Sequence, residues 1–315
     1  MNRLHLILDL PVRTDRPAEF IRQTAPCLAA LLSRGEASPG QPGLTAALAR
    51  AHLLEPTPDW PLAPICAAAD GLASATGYWL RLDPVHLEVA MGGLILHPGE
   101  TLQLSPHEAA ELIIDINRHW WADRMRLHAP NPARWYFAVE NGLNMHTTPL
   151  DQMVGEYVTP HLPRGEDAPR FLRLINEVQM LLHSHPVNLA REAAGQATVN
   201  GLWIWGGGML PIVIPRFDLV AGDAFELQAM AQLCGVSFMP QPPALIDLPA
   251  CRQALLALTQ TRETDPVLHM QQLERDWFRP LLRLLQRGGI AHLQLDLIGY
   301  RSVALSPWHG WKLWR

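Results

Sequence analysis

The sequence predicts an α/β chain whose core domain is interrupted by a smaller α+β unit. Three observations carry this expectation. Strand-like and helical patterns alternate near both ends, with a differently built stretch between them. The 315 residues suit two domains at roughly 150 residues each. Hydrophobic residues make up 48% and charged residues 17%, where a typical chain is about 25% charged. Such a chain can fill a large core and is not disordered. The expected division is a core of residues 1–74 and 149–315, with the insertion at 75–148.

Residues 4–8 form a short apolar run ending at Asp9, the pattern of a buried first strand with a carboxylate at its C-terminal end. Residues 17–34 read as a helix, opened by Pro17 and stopped by Gly35. The stretch 36–64 is rich in Pro, Gly and Ala and holds one short helix near 43–52. Two strands follow, 78–82 and 87–95, separated by Asp83-Pro84. Ser105-Pro106-His107-Glu108 is a helix start, with Ser as N-cap and Glu at the third position. That helix continues to about Arg126, with Ala109, Leu112, Ile113, Ile116 and Trp120 on one face. A strand is expected at 134–139, and helices at 167–184 and 187–194, the latter stopped by Gly195. Residues 202–205 are a buried strand running into Gly206-Gly207-Gly208. Helices at 223–234, 250–260 and 268–287 and strands at 291–297 and 301–305 complete the reading.

Composition excludes several classes. A net charge of −5 offers no global field to attract nucleic acid or an anionic membrane. Of 25 basic residues only Lys312 is a lysine, so lysine Schiff-base and P-loop chemistry are nearly excluded. The N-terminal apolar run is broken by Asp9 and makes a poor signal peptide. The uncharged stretch 201–215 is too short and too rich in Gly and Pro to span a bilayer. Cys27, Cys66, Cys234 and Cys251 lie far apart without a C-x-x-C pair and read as reduced thiols of a cytoplasmic protein.

Four motifs invite a chemical reading. Gly206, Gly207 and Gly208 end a strand where exposed backbone N–H groups can hold a phosphate. A close-packed glycine turn gives the same pattern, and the spacing fits neither a P-loop nor a dinucleotide fingerprint. In His183-Ser-His185-Pro-Val-Asn188-Leu-Ala-Arg191, Asn188 and Arg191 share a helix face. The arginine fork there could grip an anion. His183 and His185 have the spacing of two metal ligands, without a carboxylate at a conventional distance, and a capped helix junction is the alternative. Arg81 sits in an apolar strand and needs a partner. Asp83, on the same face two residues on, is one candidate and an anionic ligand the other. Asp265-Pro-Val-Leu-His269 has the spacing of two ligands of one metal on a helix, and equally of a capped helix start followed by a surface histidine. Trp120-Trp121 and Trp203-x-Trp205 read as core, because no basic patch surrounds them.

Together these segments resemble one bacterial family. Leu8-Asp9, Trp79-Leu-Arg81-Leu-Asp-Pro-Val-His86, His185-Pro-Val-Asn188-x-x-Arg191-x-x-x-Gly195 and Asn200-Gly-Leu-Trp-Ile-Trp-Gly-Gly-Gly208 look like the RpfE-type regulatory proteins, often labelled phosphoglycerate-mutase-like. Asn176-Glu-Val-Gln-Met180 and the Trp-rich end at 308–315 fit it too. That family is distantly similar to the archaeal-type cofactor-independent phosphoglycerate mutases of the alkaline phosphatase superfamily. The resemblance implies an alkaline-phosphatase-like doubly wound sheet, an inserted smaller α+β domain and a cleft between them. It also implies a phosphorylated serine and two metal ions, which would stabilise attacking and leaving oxygens.

The departures from that pattern matter. Only Asp9 clearly matches an expected metal ligand. Ser33 and Ser38 have the wrong surroundings for the nucleophile, and Asp296 is followed by Leu297 where the mutases have a histidine. The leading expectation is therefore a mutase-like pseudoenzyme in a regulatory role. It would bind a small phosphorylated or carboxylated ligand through Arg81, His185, Asn188, Arg191 and Gly206, Gly207 and Gly208. No cofactor is required by this reading. The alternative is an active phosphotransferase holding a divalent metal, manganese or magnesium, with Asp9, Asp265, His269 and Asp296. A third reading is a protein-interaction module whose partner docks on Trp308, Trp311 and Trp314.

Overall fold

A computed structural model describes residues 1–9, 16–72, 77–123, 125–259 and 265–311. In chain order the elements begin with β1 (Arg3–Asp9), α1 (Pro17–Thr24), α2 (Pro26–Arg34), β2 (Glu36–Pro39) and α3 (Leu44–Ala51). They continue with α4 (Leu62–Ala69), β3 (Tyr78–Ala90), β4 (Gly93–Pro98), α5 (Pro106–His119), β5 (Leu127–Asn131) and β6 (Arg134–Val139). Next come α6 (Ala168–His183), α7 (Pro186–Ala193), β7 (Gly201–Gly208), β8 (Leu219–Ala221), α8 (Phe225–Cys234) and β9 (Ser237–Met239). The last are β10 (Gln253–Thr259), α9 (Pro266–Leu273), α10 (Arg279–Gln286), β11 (His292–Leu297), β12 (Arg301–Leu305) and α11 (Pro307–Trp311). The expected α/β class holds. No helix among the described residues is long and apolar enough to cross a membrane, and all four cysteines are free thiols.

The chain forms two compact units. The first joins Met1–Leu54 to Val213–Arg315, and the second is Glu55–Ile212. The second is wider than the insertion expected at 75–148. The reason is pairing: β7 lies beside β3 from Val85↔Gly201 to Trp79↔Gly208. Helices α6 and α7 bury Phe171, Val178 and Val187 in the same core as Leu80 and Phe137.

In the first unit the described residues build a seven-stranded sheet in the order β2-β12-β11-β1-β10-β8-β9. The strands β11, β1, β10, β8 and β9 run parallel, and β12 and β2 close one edge antiparallel. In β1 the residues Leu4, Leu6 and Leu8 point to one face and meet Leu256 and Leu295 of the flanking strands. Helices α1, α2 and α10 cover that face with Ile21, Leu28, Leu31, Leu281 and Leu285. Arg3, His5, Ile7 and Asp9 point the other way, as strand alternation requires.

The central strand β10 corrects the helix expected at 250–260. Its residues Ala254 to Leu258 are all buried. A strand covered on both faces loses its alternation, and a short apolar run does not reveal its period. The strands β2, β8 and β9 were not visible in the sequence at all, being three or four residues long. Proline explains two other differences. The helix expected at 17–34 is split into α1 and α2 at Pro26, whose missing N–H ends the first ladder. The expected 268–287 helix carries a π turn at Glu274–Phe278, just before Pro280.

In the second unit β3 is one continuous strand, although Asp83-Pro84 had suggested two. It pairs with β7 along one edge, and with β6 and then β4 along the other. The β6 pairing ends at Arg81 and the β4 pairing begins at Val85. Pro84 falls in that gap, where a missing N–H is tolerated. Helix α5 starts as read: Ser105 Oγ accepts from the Glu108 backbone at 3.2 Å, and the Glu108 carboxylate accepts from Ser105 N at 2.8 Å. It ends at His119 and gives way to a tighter turn, short of the expected Arg126. Of the C-terminal tryptophans, Trp308 is exposed; the side chain of Trp311, and all of Lys312 and Trp314, lie outside the described residues.

Candidate functional site

The seven residues read as anion-holding all fall in the second unit, and Arg81, His185, Asn188, Arg191 and Gly207 already face an anion or carbonyl of the protein itself. Arg81 on β3 donates through Nε to Asp83 at 2.9 Å, and its Nη2 lies 2.9 Å from the other carboxylate oxygen. Asp83 also accepts from the Trp135 backbone at 3.1 Å and the Trp205 indole at 2.7 Å. The guanidinium stacks over the Tyr136 and Trp205 rings, 5.2 and 5.0 Å from their centroids. Of the two partners open to Arg81, the neighbouring carboxylate is the one found. Beside it, Tyr136 donates to Asp70 at 2.6 Å and Arg134 grips the same carboxylate at 2.7 and 2.9 Å. Burial alone would raise the Asp70 carboxyl, but the bonds from Arg134 and Tyr136 outweigh it and hold it below the usual range.

Asn188 and Arg191 share a face of α7, as read, and that face looks inward. The Asn188 amide donates to Leu182 O at 2.8 Å and Val199 O at 2.7 Å, and accepts from Val199 N at 2.9 Å. Arg191 donates to Ala197 O at 2.8 Å, to the Glu108 carboxylate at 2.8 Å and to Leu102 O at 2.5 Å. His185 caps α7 by accepting from Val187 N at 3.2 Å, and its Nε2 lies 3.2 Å from the Asp115 carboxylate. At the glycine run, a Cβ on Gly207 would sit 2.6 Å from Tyr78 Oη, and one on Gly208 would sit 2.5 Å from Pro61 Cβ. This is the close-packed turn. The strand end does hold an anion, and it is Asp59. That carboxylate accepts from the backbone of Gly207 and from Thr147 N at 2.9 Å, with a further short bond from the Thr147 hydroxyl. Burial pushes the Asp59 carboxyl up in spite of these bonds.

The four residues read as metal ligands all fall in the first unit. Asp9 ends β1 opposite Thr259 of β10, at the C-terminal edge where ligands bind in doubly wound sheets. Asp296 is on β11 beside Ile7, but its carboxylate turns back along the strand. It meets His5 Nε2 at 2.6 Å and accepts from Gln294 at 2.8 Å. Burial would raise this carboxyl; His5 and Gln294 outweigh it and hold it low. Asp265 caps α9, accepting from Val267 N at 2.8 Å and Leu268 N at 3.2 Å. His269 follows one turn later, with burial lowering its imidazole. Among the described residues no three His, Cys, Asp or Glu side chains stand together as a metal would need. Among the described residues, then, Asp9, Asp265, His269 and Asp296 are not gathered into one group of the kind that the resemblance implied.

A different site appears on the sheet face that bears Arg3 and His5. There the His5–Asp296 pair forms part of the wall of a cavity of about 380 Å³, lined by the first unit alone. Arg3, Arg50 and Arg216 also line it, with Ser38, Gln41 and Gln294. Arg216 is braced by a 2.9 Å bond from Nη1 to Ala51 O. Under the neighbouring Phe217 lies His52, its ring 5.3 Å away by centroids. His52 is buried, its Nδ1 is 3.8 Å from Cys234 Sγ, and its Nε2 has no hydrogen-bond partner among the described residues. Burial, reinforced by the nearby His5 and Arg216, lowers its imidazole to about 4. Sequence reading passed over this site, though a signal was present. In Arg3-Leu-His5-Leu and His292-Leu-Gln294-Leu-Asp296 the polar residues alternate with leucines, which places them on one face of adjacent strands.

No family model matches the chain. A stretch of 156 residues is 29% identical to a probable 2,3-bisphosphoglycerate-independent phosphoglycerate mutase of Geobacter sulfurreducens, covering 45% of this chain and 39% of that one. Another of 135 residues is 33% identical to the 2,3-bisphosphoglycerate-independent phosphoglycerate mutase of Methanosarcina mazei, covering 42% and 34%. The chain is a distant relative of these mutases. It matches only between 34% and 39% of their length. Among solved structures, the PH0037 protein of Pyrococcus horikoshii superposes with a TM-score of 0.53 at 17% identity, over 97% of this chain and 87% of that one. That likeness is one of fold.

Proposed function

We propose that this chain is a phosphoglycerate-mutase-like protein that no longer performs metal-dependent phosphoryl transfer. It binds a small anionic ligand in a regulatory role, as its resemblance to the RpfE-type proteins suggests, in a cytoplasmic setting. One observation supports this most. Asp296, the late carboxylate that should ligate metal, is paired with His5 at 2.6 Å and directed away from Asp9. A carboxylate held by a histidine and a glutamine is not presented to a cation, and Asp265 is spent on a helix cap. The test is interconversion of 2- and 3-phosphoglycerate by the purified full chain with manganese or magnesium. No turnover is expected, while 3-phosphoglycerate raises the melting temperature. Metal-dependent turnover that disappears in Asp9→Asn would overturn the reading in favour of an active phosphotransferase.

A further inference from the structure

On the sheet face of the first unit, one carboxylate holds two hydrogen-bond acceptors open toward a cavity, a feature that the mutase relationship does not account for. His5 on β1 and Gln294 on β11 stand side by side in register, and both line the cavity of about 380 Å³. Arg3 and His292, at the start of the same strands, line it too, whereas Asp9 ends β1 at its C-terminal edge. Asp296 takes a donor from each of the two neighbours: His5 Nε2 lies 2.6 Å from one carboxylate oxygen and Gln294 Nε2 lies 2.8 Å from the other. Burial would raise the Asp296 carboxyl, but these bonds outweigh it and hold it low. An ionised carboxylate only accepts, so the nitrogens facing it carry the hydrogens. That fixes the tautomer of neutral His5, with Nε2 protonated and Nδ1 left as an acceptor. It fixes the Gln294 amide as well, with its NH₂ toward Asp296 and its Oε1 turned away. Neither His5 Nδ1 nor Gln294 Oε1 has a hydrogen-bond partner among the described residues, and neither is sealed from the cavity as a buried orphan atom. Phe217 meets the His5 ring edge-on, 6.2 Å away by centroids, so the imidazole is held from two sides.

We infer that this cavity binds a small hydroxylated anion, whose hydroxyl groups donate to His5 Nδ1 and Gln294 Oε1. The inference deepens the ligand-binding reading above and rests on it; what it adds is a place and a functional group. Fixed acceptors aimed into open space select a ligand that brings donors. A hydroxyl donates and can also accept in return, here from Arg3 or Gln41 on the same wall, whereas an ammonium only donates. Two acceptors on neighbouring strands, about 4.8 Å apart, suit a ligand with more than one hydroxyl. The cavity, at about 380 Å³, is at the small end for ligand pockets, which run from roughly 300 to 1,000 Å³.

The test uses the full chain at pH 8. Calorimetry compares tartrate, malate and succinate, one dicarboxylate backbone with a decreasing number of hydroxyls, and in parallel glycerate with propionate. In at least one series the hydroxylated member should bind about tenfold or more tighter than its deoxy counterpart, as one added hydrogen bond allows. His5→Phe keeps a ring against Phe217 and removes the acceptor, so the hydroxylated-to-deoxy affinity ratio should fall severalfold. That ratio is internal to each protein, so a change in the variant's stability does not move it. His107→Gln, at an exposed histidine of the second unit, should leave the ratio unchanged. In the unsubstituted protein the imidazole nitrogen resonances should show His5 protonated at Nε2 and bare at Nδ1, with the Nδ1 signal moving on addition of the hydroxylated member only. Absence of binding by all of these compounds, equal affinities within both series, a ratio unchanged in His5→Phe, or a proton on Nδ1 would each overturn the inference. A melting shift with 3-phosphoglycerate would then leave the broader ligand-binding reading standing, and its absence would remove that reading as well.

Discussion

Acidification should destabilise the first unit through His52, and the size of the effect follows from its surroundings. The imidazole is buried against Phe217 and Cys234, and its Nε2 has no hydrogen-bond partner among the described residues. Burial is the main reason its value falls from 6.5 to about 4, with His5 and Arg216 adding to it. Folding therefore keeps His52 neutral, while the unfolded chain takes up a proton below its ordinary value. The contribution is fully present above about pH 6.5 and lost as pH falls toward 4. By linkage the loss is about 2 kcal/mol between pH 7 and pH 5, and about 3 kcal/mol by pH 4. Other groups titrate over the same range, so the variant His52→Leu is the reference. It has similar volume, cannot ionise, and should differ from the parent by less than about 1.5 kcal/mol at pH 7. Urea unfolding followed by far-ultraviolet circular dichroism at pH 7 and pH 5 gives both slopes. The parent should lose about 2 kcal/mol more than His52→Leu over that interval. Equal pH dependence in the two proteins would refute the assignment of a neutral, buried His52.

Further outcomes follow from the second unit. Asp83→Ala leaves Arg81 buried without its carboxylate and should cost about 3–5 kcal/mol in urea unfolding; the double change Arg81→Met with Asp83→Leu should cost less than Asp83→Ala alone. Asn188→Ala removes three buried bonds to Leu182 and Val199 and should cost at least about 2 kcal/mol, lowering the melting temperature without changing ligand affinity. Gly207→Ala drives a methyl to within 2.6 Å of Tyr78 Oη and should destabilise by about 1–3 kcal/mol, read in the same unfolding experiment.

The sequence by itself determined the α/β class, because periodicity and caps are local. The first strand, the capping box at Ser105 and Glu108, and the amphipathic α6 with Phe171, Ile175 and Val178 inward are all short-range patterns. The Arg81 motif was half legible: the sequence offered Asp83 or a ligand, and only the fold chose, by closing Tyr136 and Trp205 over the guanidinium. The strand β10 was misread because it is buried on both faces, so its neighbours β1 and β8 decide its form rather than its own period. The fate of the anion-holding groups lay beyond sequence altogether. Glu108 reaches Arg191 from 83 positions away, and Thr147 reaches Asp59 from 88. No local rule reports which carboxylate will arrive. The same holds for the arginine-lined cavity, where Arg3, Arg50 and Arg216 converge from separate parts of the chain. Tertiary structure decided these sites because they are made by strand order and register, which bring distant residues together through backbone pairing rather than through anything in the residues' own neighbourhood.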